Sequence, residues 1–203
     1  LYFTVNRKKG MFVHDQQQKF VSPEDMRKSK RLQALFTRKT GHMKSNLKLA
    51  DYGILMWGNM NHNYGEAAMA YNESGKSDLS WISYQERNWN DPHVVGYMES
   101  HDEERLMWEC LEWGNEHYNA GDTIPVYSIK QLETALERMA LVASFFFTVP
   151  GPKMMWMFGE RGYDISINWP ALEEPGATRT DPKPPRWDYM EEYDRIYLYK
   201  TYS

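Results

Sequence analysis

Three short apolar runs, each closing on a polar cluster, limit what this chain can fold into. Ile54-Leu55-Met56-Trp57-Gly58 gives way to Asn59, and His93-Val94-Val95-Gly96-Tyr97-Met98 stops at Glu99-Ser100-His101-Asp102-Glu103-Glu104-Arg105. Met154-Met155-Trp156-Met157-Phe158 ends at Gly159-Glu160. None of the three alternates polar with apolar, so each reads as a strand buried on both faces, the habit of parallel sheets. Helical stretches separate them. Tyr64–Tyr71 and Leu106–Gly114 are short. The clearest helix carries Ile129, Leu132, Leu136, Met139 and Ala140 at helical spacing, with Ser128 and Gln131 as a capping box, and Pro150-Gly151-Pro152 ends it after about Phe147. A Pro- and Gly-rich loop over 161–186 and an aromatic-rich helix over Tyr189–Tyr202 complete the order. Strand, helix, strand, helix, strand, helix is the grammar of a parallel α/β barrel or open sheet.

The first quarter does not share this pattern. Residues 1–50 hold twelve Lys or Arg against three acids, whereas the whole chain carries a net charge of −4. Two such compositions side by side divide the chain into a basic segment of unassigned structure, 1–47, and an α/β part, 48–203. Within the basic segment Ser22-Pro23-Glu24-Asp25 reads as a helix start, and Leu32, Leu35 and Phe36 have a weak helical spacing. Charge density is its only nucleic-acid signal, so no nucleic-acid partner is expected.

Cys110 is the single cysteine, which excludes an internal disulfide, and its apolar helical setting predicts a packed thiol rather than a nucleophile. No apolar run is long enough to span a bilayer, so no membrane partner is expected. The aromatic share of 15% suits stacking on sugars and suits an ordinary core equally.

Catalytic groups in parallel α/β folds gather where strands end in loops. Two such ends are rich in ionisable groups, and carboxylates at adjacent strand ends could serve acid–base chemistry or glycoside hydrolysis. His101 and Asp102 directly follow a hydrophobic strand and are the candidate site. Glu103, Glu104 and Arg105 read instead as the start of a helix, where acids meet the positive end of the dipole. Arg105 stands four residues after His101, so the zinc-protease helix pattern fails, and His62, His93 and His117 have no ligand spacing. No metal site is expected among them.

At these residues the chain resembles the α-amylase superfamily of glycoside hydrolases. VGYMESHDEER (residues 95–105) looks like the segment in which a strand delivers a His-Asp pair, and RMALVASFFFTVPGPKMMWMFGE (138–160) is similar to the helix, turn and strand that follow it. DYGILMWGNMNHNYGEAAMAY, WISYQERNW and DPKPPRWDY are similar to a Bacteroides-type branch. The resemblance spans about residues 47–203. It implies a partial TIM (β/α)8 barrel, roughly its last three strand–helix units, and a retaining mechanism on an α-glucan or maltooligosaccharide. By the match, Asp102 is the transition-state-stabilising carboxylate, His101 a neighbouring sugar ligand, and Glu160 a loop-organising residue. The sequence itself shows no cofactor; the resemblance allows calcium in a full-length enzyme, and a secreted or periplasmic address, although no signal peptide is visible here.

The same resemblance implies a nucleophilic Asp and an acidic Glu upstream. No segment between Leu1 and Asn46 matches either, and TRKTGHMKSN occupies the stretch where the acid-bearing strand is expected. Frameshifted translation or a misjoined gene model accounts for both this gap and the jump in charge. The expectation is an amylase-type fragment, inactive alone; the alternative is a non-catalytic, amylase-like carbohydrate-binding protein.

Overall fold

The computed structural model describes the backbone of residues 2–6, 10–14 and 20–21, together with residues 47, 50–51, 53, 55–116 and 127–203. The helix start expected after Ser22 and His117 both lie outside the described residues.

Near the start, β1 (Tyr2–Asn6), β2 (Gly10–His14) and β3 (Phe20–Val21) pair antiparallel in the order β1-β2-β3. Sequence patterning predicts no strand in this region. The signal was the cluster of β-branched and aromatic residues in YFTV and MFV, which charge density obscured.

Further on, β4 (Met56–Asn59) and β5 (Val94–Tyr97) run parallel, with Gly58 opposite Gly96 and Asn59 opposite Tyr97. The third expected strand is reduced to one parallel bridge between Gly96 and Lys153. Its two hydrogen bonds run from Gly96 N to Pro152 O (3.1 Å) and from Met154 N to Gly96 O (2.9 Å). Beyond the bridge Phe158 adopts a left-handed φ of 58°, and a 3-10 turn follows at Gly159–Arg161, so the run Met154–Phe158 cannot continue the ladder.

The helices are α1 (Asn61–Ala68), α2 (Leu106–Trp113), α3 (Leu132–Thr148) and α4 (Tyr193–Tyr202). α3 supplies the centre of the core, burying Ala135, Leu136, Met139, Val142, Ala143 and Phe146 against Tyr64 of α1, Leu106 and Met107 of α2, and Leu198 of α4. The expected capping box is not formed. Gln131 is the N-cap and has no side-chain cap bond, while Ser128 Oγ accepts from Lys130 N at 3.3 Å in a tight turn of its own. Arg138 of α3 donates from Nε to the Ala68 carbonyl at 3.2 Å and from Nη2 to the Ala67 carbonyl, which also takes the Ala70 N–H, so α3 is tied to the C-terminal end of α1. Cys110 is fully buried and burial pushes its thiol up, as packing requires. Among the described residues, no helix is long and apolar enough to cross a membrane.

The parallel pair is buried on one face and open on the other. Gly58, Val94 and Gly96 lie on the packed face, whereas Trp57, on the opposite face, is 63% exposed and meets Tyr97 edge-on with centroids 5.7 Å apart. The packed face is close because it carries the paired glycines. A Cβ on Gly96 would lie 2.8 Å from Ile82 Cδ1 and 3.6 Å from Phe146 Cε2. Gly96→Val should therefore push Ile82, in the 3-10 turn Ser80–Ile82, off the sheet and destabilise the fold by about 1–3 kcal/mol, seen as a lower urea midpoint. An unchanged midpoint would show that Ile82 does not pack on the sheet in this way.

Candidate functional site

The site begins with two residues that leave β5 and turn inward. Met98 and Glu99 are buried, Glu99 to 4% exposure, and Glu99 Oε1 accepts the backbone N–H of Leu106 at 2.8 Å. That N–H is a free donor at the start of α2, where partial positive charge favours a carboxylate. Burial nevertheless dominates and pushes Glu99 up to about 7; the Arg105 guanidinium and the Leu106 N–H pull it down, while Glu160 and Glu104 push it further up. Arg105 is equally buried at 3% exposure. Its Nη1 donates to the Ser100 carbonyl at 2.9 Å, and its guanidinium lies 5.7 Å from the Trp156 ring centroid and 5.6 Å from that of Tyr163.

Residues 100–105 are thus wound about a buried acid and a buried base, and the intervening acids fasten the turn outward. Glu103 accepts from Asn59 Nδ2 at 2.6 Å and from the Ser100 hydroxyl, whose oxygen in turn accepts from Asp102 N at 3.2 Å. Asn61 Nδ2 donates to the carbonyls of Met98 (3.0 Å) and Glu104 (3.3 Å), which ties the start of α1 to the same turn. Glu104 accepts from Ser166 Oγ at 2.7 Å and from Ile167 N at 2.8 Å, reaching across to the long loop after Gly162. The expectation that Glu103, Glu104 and Arg105 begin a helix is corrected: α2 starts at Leu106, and Glu99 is the acid that meets its first turn.

His101 and Asp102 are left at the crest of this turn, with side chains 70% and 53% exposed. His101 Nε2 stands 3.3 Å from Asp102 Oδ2, and Arg179 Nη2 stands 4.0 Å from Asp102 Oδ1. The His101 ring leans on Trp156, centroids 5.9 Å apart. Asp102 and Glu103 are close enough to add to burial in raising Tyr97. Glu160 is placed elsewhere: it occupies the 3-10 turn beside Glu99, where a Cβ on neighbouring Gly159 would come within 2.6 Å of Glu99 Oε2. The cavity between Glu99, Trp156 and Tyr202 is about 10 Å³, room for no more than one water. Any larger ligand of this site must approach from the open side, over His101 and Asp102.

Sequence reasoning reached His101 and Asp102 but not Arg179, Asn59 or Tyr97. Arg179 lies in a loop without periodicity, and only the three-dimensional path of that loop brings it to Asp102. His93 serves structure, its Nδ1 lying 2.6 Å from the Ala50 carbonyl. Among the described residues, no group of three or more His, Cys, Asp or Glu is arranged to hold a metal ion. No protein-family model matches the chain, and no curated protein matches it.

The buried acid makes stability depend on pH in a stated direction. A carboxyl that ordinarily titrates at 4.5 and here at about 7 favours the folded state while protonated, and that contribution is lost as pH rises through 7. Burial likewise holds Glu109 up at about 8, with Glu104, Glu99 and Glu66 adding to the effect, so it acts in the same sense. Thermal unfolding at pH 5 and pH 8 should show a smaller difference in Tm for Glu99→Gln, which keeps the acceptor for Leu106 N, than for the native chain. An equal difference in both proteins would contradict the burial of an ionisable Glu99.

Proposed function

We propose that this chain is part of the catalytic barrel of a retaining, α-glucan-active glycoside hydrolase of α-amylase type, and that alone it binds maltooligosaccharide without cleaving it. The observation that carries this reading is the exposed His101–Asp102 pair on a braced turn at the C-terminal end of a parallel strand. Parallel α/β enzymes present their reactive groups at that end. The Asp102 carboxylate accepts hydrogen bonds from sugar hydroxyls and favours the oxocarbenium-like transition state of glycoside cleavage. His101 supplies a donor next to it, and the Trp156 ring limits where the imidazole can move.

Support for a barrel origin comes from the sheet. β4 and β5 turn Trp57, Val95 and Tyr97 to the face opposite the helices, the face that in a closed barrel carries the interior layers. Among the described residues nothing completes those layers.

The chemistry explains the expected lack of turnover. Retention needs two carboxyl groups about 5–5.5 Å apart, one to attack and one to donate a proton. Around Asp102, Glu99 is buried, while Glu103 and Glu104 are engaged by Asn59, Ser100, Ser166 and Ile167. This engagement equally favours the second reading, a non-catalytic amylase-like protein that only binds carbohydrate. The two part on whether the source gene encodes the missing nucleophile and acid.

The test is made on the full chain with maltoheptaose and a chromogenic maltooligosaccharide. Calorimetry should detect binding by the native chain that Asp102→Asn weakens by about tenfold or more, since a hydrogen bond to a charged group contributes about 1.5–3 kcal/mol. The chromogenic substrate should remain intact. Release of the chromophore by the native chain, or equal affinity of Asp102→Asn, would contradict the proposal.

A further inference from the structure

The geometry points to Arg179 as a third ligand-contacting residue of this site, held against Asp102 by a chain of hydrogen bonds that starts two residues away at Glu104. The inference rests on the glucan-binding reading above and names the next residue of the same site.

The placement of Arg179 can be followed bond by bond. Glu104 fixes Ser166 and Ile167. Ser166 Oγ accepts from Asn168 N at 3.0 Å, and the Asn168 carbonyl accepts from Thr178 Oγ1 at 2.5 Å. Asn168 Oδ1 also takes the Gly176 N–H at 2.9 Å, closing the loop on itself. The Thr178 carbonyl accepts from Lys183 Nζ at 2.8 Å and from Asp181 N at 3.0 Å, so the backbone on both sides of Arg179 is fixed. From there the guanidinium returns to Asp102, 4.0 Å from Oδ1. The two ends of this path belong to one turn, because Asp102 and Glu104 are anchored together by Ser100, Asn59 and Asn61.

The result is a row of donor, acceptor and donor, with His101 on one oxygen of Asp102 and Arg179 facing the other. A pair of neighbouring hydroxyls on a pyranose matches such a row. Each hydroxyl donates to a carboxylate oxygen and accepts from the cation or imidazole beside it. Arg179 is 45% exposed and Asp102 is 53% exposed, so their mutual attraction contributes little to folding and the guanidinium retains N–H groups for a ligand.

The experiment measures maltoheptaose binding to the full chain by calorimetry, with Tm recorded for every variant. Arg179→Met should weaken binding about tenfold, the loss expected for one charge-assisted contact, with Tm unchanged. Arg179→Lys, which keeps the charge but not the fork, should fall between the two. Thr178→Val removes the hydroxyl that links Arg179 to Asn168 without touching Asp102. It should weaken binding in the native background and have no further effect in Arg179→Met, the non-additivity expected of residues acting in one chain. Equal affinity of Arg179→Met and the native chain, while Asp102→Asn still loses binding, would overturn the role of Arg179 and leave the glucan reading standing. Additive effects of Thr178→Val and Arg179→Met would overturn the positioning path. Absence of binding by the native chain would overturn the glucan reading and this inference with it.

Discussion

The turn after β5 depends on a buried acid and a buried base. Glu99 and Arg105, at 4% and 3% exposure, occupy the interior side of a loop that would otherwise have to fold back over apolar Trp156 and Tyr163. Taking a charged group out of water costs several kcal/mol before compensation, and for Glu99 this shows as a carboxyl pushed up to about 7. Part of the offset is specific: Glu99 takes the Leu106 N–H that α2 leaves unpaired, and Arg105 takes the Ser100 carbonyl. Each of the two is tied to a backbone group of the same turn, so the conformation of residues 99–106 is strongly determined. What the strand end presents to solvent follows from that determination.

Rigidity at the base of the turn and exposure at its crest are two sides of one arrangement. Ser100, Glu103 and Glu104 face neighbouring elements and are engaged there, so His101 and Asp102 are the polar residues of the turn left facing outward. A binding group held this way gives up little conformational freedom when a ligand arrives. Glu104 extends the same order to the loop after Gly162. That loop is braced a second time by Arg195 of α4, whose Nη1 donates to the Arg161 carbonyl at 2.9 Å and whose Nη2 meets Asp164 Oδ2 at 2.8 Å. Sheet, loop and last helix therefore share one set of constraints around the candidate site.

The pattern of apolar runs made β4, β5 and α3 legible, because burial on a helix or sheet leaves a period that one sequence can show. His101 and Asp102 were legible for a related reason: a polar pair directly after such a run falls at a strand end. The fate of Met154–Phe158 was not legible. Its composition says strand, yet only one bridge forms, at Lys153, and the chain turns left-handed at Phe158. Glu103, Glu104 and Arg105 misled for another reason. Acids ahead of a helix are a sound dipole signal, but Glu99 already meets the first free N–H, and the others find closer partners across the fold. Arg179 carried no local signal at all, since its meaning lies in contacts 62 and 63 residues apart along the chain between Glu104 and the loop.

The site proposed for a glucan is the crest of the β5 turn. Titrating the isotopically labelled full chain with maltoheptaose and following backbone amide resonances would locate the contact directly. The largest shifts should fall on residues 100–103, Trp156 and residues 178–180, with Asp102→Asn needing about tenfold more maltoheptaose to reach them. Shifts confined to the groove between α3 and α4, lined by Leu141 and Tyr197, would place carbohydrate away from that turn and contradict the proposed site.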